Sequence, residues 1–436
     1  PAAAPRFTLA AGGGLGLRLE AMSSQRTKRV VIVGGGIAGL ATALAFQARG
    51  WDVQVVERAV ALREVGAGIQ LAPNGMKVLR ALGLEQAALE RGFLPSALEM
   101  RLGPSGFSIF RLPIKTAAHY RWHAPYVHIH RADLIDILAG SLEQRAPGAV
   151  RLGTTVEALL PGGKGVQVQG GGSIEADVVI AADGLRSTLR EAAFGPQPAR
   201  FTGMIAWRGT VPAAALEGDA PPPTACVWAG PGRHVVSYFV AKGQLVNFVG
   251  VVERRIDNPE RLESWRTPGD TQTALDDFMG WHPTVTRMIK SAQGLSQWAL
   301  FDRPASDRWV SGAMALVGDA AHPMLPTFAQ GACQGLEDAW TVAHLVEHTT
   351  GQGAGPEPGL HQYAALRQPR TAAIQHRAMR NARDFHHQPG LEQIRAYSAL
   401  WFGGRFLPWM ARGRLDAIYG YDAVAEAEAA LQAAVV

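Results

Sequence analysis

The chain has 436 residues, 47% of them hydrophobic and 18% charged, so it is too long for one ordinary domain and large enough to bury a cofactor. Its formal charge of +5 comes with arginines scattered along the chain, which excludes the clustered footprint of a nucleic-acid binder and suits anionic small molecules. No apolar run approaches the roughly 20 residues that cross a bilayer, and the two distant cysteines, Cys226 and Cys333, supply neither a disulfide framework nor a metal site. A reducing cytoplasm is expected, with no membrane, nucleic-acid or metal partner.

Residues 1–25, rich in Ala and Gly and containing Met22 as a plausible native start, read as a flexible extension outside the fold. From Lys28 the sequence KRVVIVGGGIAGLATALAFQARGWDVQVVERA predicts a strand (Val30 to Val33), a glycine turn, an Ala/Leu-rich helix and a second strand (Asp52 to Val56). Gly34, Gly36 and Gly39 stand at G-x-G-x-x-G spacing. The first permits the turn, the second lets backbone approach a pyrophosphate at the helix N-terminus, and the third lets helix pack on strand. Glu57 closes the second strand, where a carboxylate accepts hydrogen bonds from both ribose hydroxyls and disfavours a 2′-phosphate. Glycine turns are common in a chain with 50 glycines, but strand, helix and acid together specify a dinucleotide site without separating FAD from NAD.

Two later segments repeat the pattern of a buried strand ending in an acid beside glycine. In ADVVIAADGLRSTLR, the strand Val178 to Ala181 precedes Asp183-Gly184 and a new helix. In GAMALVGDAAHPMLPTFAQGACQGLEDAW, the strand Ala315 to Val317 precedes Gly318-Asp319, a proline-containing loop, then Gly331 and an Ala-rich helix whose first backbone donors suit a flavin carbonyl or an anionic ring edge. One long dinucleotide passing three loops accounts for all of them.

With these three signals in order from about Lys28 onward, the sequence resembles the class A flavoprotein monooxygenases, the para-hydroxybenzoate hydroxylase family. Within it the chain looks most like salicylate hydroxylases and the hydroxylases of 3-hydroxybenzoate and 6-hydroxynicotinate; MLP and QGLEDA carry the salicylate likeness. The resemblance implies an α/β fold. A Rossmann-like FAD-binding domain (26–100, 125–200 and 299–350) would carry an inserted antiparallel β-sheet substrate domain (101–124 and 201–298) and a C-terminal helical cap (360–436). It implies noncovalent FAD, NADH or NADPH as co-substrate, O2, and a small aromatic acid as the molecule hydroxylated. Either a monomer or a homodimer is compatible with it.

Residue by residue, the resemblance places Glu57 at the adenosine ribose and counts Gly34, Gly36, Ala38, Gly39 and Arg58 among the residues that bind the cofactor. Arg131 of HIHRADLIDIL contacts FAD, and the Asp183-Gly184 region serves both FAD and the nicotinamide. Asp319 would hold the ribitol, with Gly331 and Ala332 beside the isoalloxazine. Read without it, Arg131 is simply a charge at a helix start.

Between the second and third signals, FTGMIAWRGTVP and TACVWAGPGRHVVSYFVAKGQLVNFVGVV alternate β-branched and aromatic residues between glycines, as an antiparallel sheet does. His234 and Tyr238 lie four apart and share a strand face. An electrophilic attack on a phenol gains from removal of the phenolic proton, and a neutral imidazole suits that task, so His234 is the candidate base and Tyr238 its partner. The competing description is a sheet histidine bonded to backbone. Arg208 and Arg233 are each candidates for a substrate carboxylate, although a solvated surface arginine describes either as well. His322, in Ala-His-Pro, is read as structural. Pro326, Thr327 and Phe328 stand where some relatives carry a further polar residue, which loosens any transfer of exact substrate. An FAD-dependent oxidase or epoxidase of a non-phenolic substrate, and a non-catalytic FAD-binding protein, are the alternatives.

Overall fold

The computed structural model describes residues 27–62, 68–262 and 267–433; the stretch 1–25, Met22 included, lies outside the described residues. The first strand, Arg29–Val33, sits inside a six-stranded sheet. The spatial order is Val310–Ser311, Met314–Leu316, Val178–Ala181, Arg29–Val33, Asp52–Val56 and Val150–Arg151. Neighbours run parallel except for the outer pair, Val310–Ser311 with Met314–Leu316. A parallel strand covered on both faces must be apolar on both, and Val30, Val31 and Ile32 are wholly inaccessible.

The helix Ile37–Gln47 is apolar almost all round because it is packed between this sheet and the helix Gly331–Gly351. Its close approach depends on small residues. A Cβ added at Gly318 would stand 2.9 Å, and one at Gly335 3.0 Å, from the Cβ of Ala38.

The second layer is a seven-stranded sheet ordered Gln293–Asp302, Arg200–Pro212, Leu245–Glu253, Arg233–Val240, Ala225–Gly230, Ala97–Leu102 and Ser108–Pro113. It is antiparallel except where Ala225–Gly230 runs beside Ala97–Leu102. Period-two alternation divides its residues between two faces. One face buries Trp207, Val235 and Phe248 beneath the helices Thr271–Asp277 and Pro283–Lys290, with Phe278 and Met288 in the same core. The other sets Met204, Ala206 and Val251 against Leu325, Ala378 and Ala382.

The boundary expected at residue 100 falls inside the strand Ala97–Leu102, which belongs whole to the seven-stranded sheet because hydrogen-bonding register, not composition, sets its length. Similarly, Gln293–Asp302 runs past the expected limit at 298 and still pairs Asp302 with Arg200. Beyond Ser108–Pro113 the chain leaves the sheet: the Trp122 indole donates to Asp416, 2.7 Å, on the helix Pro408–Tyr419.

A two-stranded ribbon, Gly68–Leu71 with Val127–His130, joins the layers. The Gly68 amide donates to Asn247 Oδ1 at 2.8 Å, and a Cβ at Gly68 would stand 2.5 Å from the Tyr238 ring, so only glycine fits that approach. The helix Glu357–Phe385 then ties the two sheets together. Its Tyr363 hydroxyl donates to the Leu316 carbonyl at 2.9 Å, while Ala378 and Ala382 pack on the seven-stranded sheet. Leu391–Phe406 covers Ser108–Pro113, and Ala423–Ala433 returns to Gly331–Gly351. No described helix is long and apolar enough to cross a membrane.

Candidate active site

The three glycines have different surroundings. Gly34 adopts φ +112°, and a Cβ there would stand 2.4 Å from the Ala182 carbonyl oxygen, so the first turn lies back to back with the Asp183 segment. A Cβ on Gly39 would stand 1.9 Å from the Gly34 oxygen. At Gly36 a Cβ would meet nothing within 4 Å. Gly36 caps the helix Ile37–Gln47, whose first amides have no side-chain cap, so free donors border a space that fits a pyrophosphate. The Glu57 carboxylate accepts from the Gly35 amide at 2.7 Å and the Ala59 amide at 2.8 Å. Those bonds fix its orientation and leave lone pairs for a ribose diol. Arg58 is exposed beside it.

The second and third acids lie at the ends of neighbouring strands. Asp183 accepts from the Leu189 amide at 3.3 Å through Oδ2, while its buried Oδ1 has no partner among the described residues, and burial raises its pKa. Gly184 follows with φ +79°. The Asp319 side chain is accessible but set among protein atoms. That crowding raises its pKa, with His322 and Arg131 opposing. Arg131 opens the helix Arg131–Arg145; burial lowers its pKa and Asp319 partly restores it. Acid and guanidinium therefore face one another at the C-terminal end of the six-stranded sheet, and this donor set fits the phosphate and polyol parts of FAD.

His322 is buried, with Nε2 2.5 Å from the Asp338 carboxylate, which also accepts from the Gly318 amide at 2.9 Å. Asp338 in turn joins a buried network in which Arg367 pairs with both Glu337 and Asp338, and Asn74 donates to Gln330 and Glu337. This network anchors the start of the helix Gly331–Gly351, where Gly331 and Ala332 remain partly accessible. Just before it, Ala329 holds φ +50°, a left-handed conformation unusual for a residue with a Cβ.

On the inner face of the seven-stranded sheet, His234, Val236 and Tyr238 oppose Val251, Val249 and Asn247, which oppose Ala206, Arg208 and Thr210 on the next strand. His234 is only 1% accessible; its Nδ1 lies 2.7 Å from His386 Nε2. His386 Nδ1 lies 2.7 Å from Glu253 Oε1. Burial first, and His386 second, hold the His234 pKa well below that of an ordinary histidine. The buried Tyr238 ring stands 4.8 Å from that of His128; burial raises its hydroxyl pKa and Arg208 opposes the rise.

Arg208 is buried at 6% accessibility, not solvated, with its guanidinium 5.9 Å from the Trp298 ring centroid; burial brings its pKa down to about 10. Arg233 is excluded from this group. Its side chain turns to the opposite side of the sheet and donates to the Asp277 carbonyl, because strand alternation separates it from its neighbour His234.

Three contributors escaped the sequence reading: His128, His386 and Glu253. His386 had one signal, a histidine pair (His386-His387) at the end of a helix-forming run, but its partner is 152 residues away. The adjacent Glu337-Asp338 pair, set between Leu336 and Ala339, also signalled a buried cation, since two acids on the buried side of a helix require a partner.

Residues 27–378 match the family described as FAD binding domain. The chain belongs to this family. It is 39% identical to a 3-amino-4-hydroxybenzoate 2-monooxygenase of Streptomyces cremeus over 84% of its own length and 90% of that protein's. A 3-hydroxybenzoate 6-hydroxylase of Klebsiella oxytoca is 32% identical over 87% of this chain and 93% of its own. The fold is also that of a solved salicylate hydroxylase with substrate, at a TM-score of 0.78 and 27% identity, covering 93% of this chain and 98% of the other. The family resemblance, the FAD-binding fold with its C-terminal helices, and membership of the FAD-dependent aromatic monooxygenases are thereby established for this enzyme.

Proposed function

We propose that the enzyme hydroxylates the ring of an aromatic acid bearing a phenolic hydroxyl, with His234 as the base and Tyr238 and Arg208 as the groups that orient the substrate. The observation that carries this reading is the placement of a buried imidazole, a phenol and a guanidinium on one inner face of the sheet, with Leu325 and Phe328 packed on that face shortly before Gly331. Bound FAD, reduced by NAD(P)H, supplies an electrophilic oxygen from O2.

The protein's own residues perform the rest. Neutral His234 accepts the phenolic proton, which raises electron density at the ring carbon to be attacked. Arg208 pairs with the substrate carboxylate in a site dry enough to make that pairing strong. Tyr238, held between His128 and the ribbon at Gly68, fixes the hydroxyl end of the ring. Gly36, Ala38, Glu57, Arg131, Asp183, Gly184 and Asp319 hold the dinucleotide, with Gly34 and Gly39 shaping its turn. The amides of Gly331 and Ala332 meet the flavin ring. Arg58 lies at the adenosine end.

The names of the relatives support a hydroxybenzoate or aminohydroxybenzoate, and the salicylate-like motifs support NADH as the preferred donor. The test is a panel of 3-amino-4-hydroxybenzoate, 3-hydroxybenzoate, salicylate and non-phenolic acids. For each, NADH or NADPH consumption, hydroxylated product and peroxide are measured. His234→Ala should retain FAD and substrate-stimulated nicotinamide oxidation, yet lose product yield by about 10²-fold or more as oxygen is diverted to peroxide. An unchanged ratio of product to nicotinamide consumed would remove His234 from the mechanism, and activity confined to non-phenolic compounds would overturn the substrate class.

A further inference from the structure

His234 is buried, yet a base that takes a proton in every turnover must lose it again. Its Nδ1 lies 2.7 Å from His386 Nε2, and His386 Nδ1 lies 2.7 Å from Glu253 Oε1. The Glu253 side chain is 55% accessible, whereas that of His386 is 3% accessible. The three groups thus form an unbroken line from the inner face of the sheet to solvent. They come from the start of the strand Arg233–Val240, the end of the strand Leu245–Glu253 and the residue that closes the helix Glu357–Phe385.

We propose that His386 and Glu253 are a proton relay that sets the tautomer of His234 and carries the phenolic proton out to solvent; this rests on the assignment of His234 as the base. The polarity follows from hydrogen-bond chemistry. An ionised Glu253 only accepts, so His386 carries its proton on Nδ1 and offers a lone pair at Nε2. His234 must then donate from Nδ1, which leaves Nε2 as its basic nitrogen. In the transfer the substrate O–H bond breaks as His234 Nε2–H forms. His234 Nδ1–H breaks as His386 Nε2–H forms, and His386 Nδ1–H breaks as an O–H forms on Glu253, which releases its proton to water. A proton moving inward along the same line, from Glu253 to His386 Nδ1 and from His386 Nε2 to His234 Nδ1, resets both rings as His234 gives its Nε2 proton to the phenolate oxygen of the product. The relay also answers an energetic difficulty: a fully buried imidazolium is expensive to maintain, and passing the proton on avoids holding the charge there.

The experiment separates a relay from a merely structural contact. His386→Gln offers an amide oxygen that still accepts from His234 Nδ1, preserving the tautomer while interrupting proton transfer. In the FAD-loaded full chain, 15N-histidine NMR should find both rings protonated on Nδ1, with His234 unchanged in His386→Gln. The opposite tautomer at either ring overturns the proposal. Without nicotinamide, ionisation of bound 3-amino-4-hydroxybenzoate is followed by its phenolate absorbance after rapid mixing. It should slow by about 10²-fold in His386→Gln, less in Glu253→Ala, and recover in His386→Ala when imidazole is added. Wild-type rates in His386→Gln with a slow His234→Ala would sink the relay and leave the base standing. A normal rate in His234→Ala would instead sink the base assignment beneath it.

Discussion

Gly36 and Gly39 are three residues apart in one motif, and the structure gives them opposite duties that a pair of substitutions can separate. Gly36 has φ −76° and ψ −177°, an extended conformation open to any residue, and a Cβ there meets no protein atom within 4 Å. In protein stripped of FAD, Gly36→Val should therefore cost only about 1 kcal/mol, the penalty of a β-branched residue at a helix N-cap with no steric overlap added. The same side chain would fill the space beside the first helical amides and force the pyrophosphate away from them. Losing one charge-assisted hydrogen bond at about 1.5–3 kcal/mol weakens FAD binding by about 10- to 150-fold. Gly39→Ala does the reverse, because its Cβ would lie 1.9 Å from the Gly34 oxygen and 3.1 Å from the Gly34 carbonyl carbon, both backbone atoms that cannot rotate away. That overlap should destabilise the stripped protein by about 1–3 kcal/mol or more. Urea unfolding of the stripped variants, followed by circular dichroism, gives the first quantity; FAD titration by flavin fluorescence gives the second. If Gly36→Val unfolded as readily as Gly39→Ala and bound FAD normally, the pyrophosphate assignment would be refuted.

Arg208→Gln should raise KM for carboxylate-bearing substrates by about 10- to 100-fold, the cost of one lost charge-assisted pairing, while leaving KM for a phenol without a carboxylate unaffected. An equal rise for both compounds would show that Arg208 does not read the carboxylate. Arg367→Met removes the one cation that pairs with both buried acids, leaving Glu337 to Arg370 and Asp338 to His322, and should cost about 3–5 kcal/mol in urea unfolding; a loss under about 1 kcal/mol would count against a paired network. Burial pushes the Asp338 carboxyl up, but His322 and Arg367 more than offset this and hold it at about 2. Its folded pKa is therefore below the unfolded value of 3.8, so the stabilisation is present above pH 4 and is lost as pH falls toward 2. The loss amounts to about 2 kcal/mol. Comparing urea midpoints at pH 4 and pH 2 in wild type and Asp338→Asn checks this, and an identical pH dependence in both would refute it.

What the sequence by itself determined was local: strand, glycine turn, helix and acid each lie within one short run, and the physics that joins them acts over a few residues. Asp52–Val56 ends at Glu57 and Val178–Ala181 precedes Asp183 as read, and His234 and Tyr238 share a face because strand alternation leaves no choice. The same rule could have set Arg233 apart from His234, had the face been known. Only the tertiary structure decided which face points inward. It also decided that Arg208 is buried, that Ala97–Leu102 pairs with Ala225–Gly230, and that the start of the helix Gly331–Gly351 is held through Arg367. The link from His234 through His386 to Glu253 is of this kind. Its two histidines are 152 residues apart, and no periodicity spans that distance; they meet because one helix long enough to bridge both sheets ends where the strand Arg233–Val240 begins.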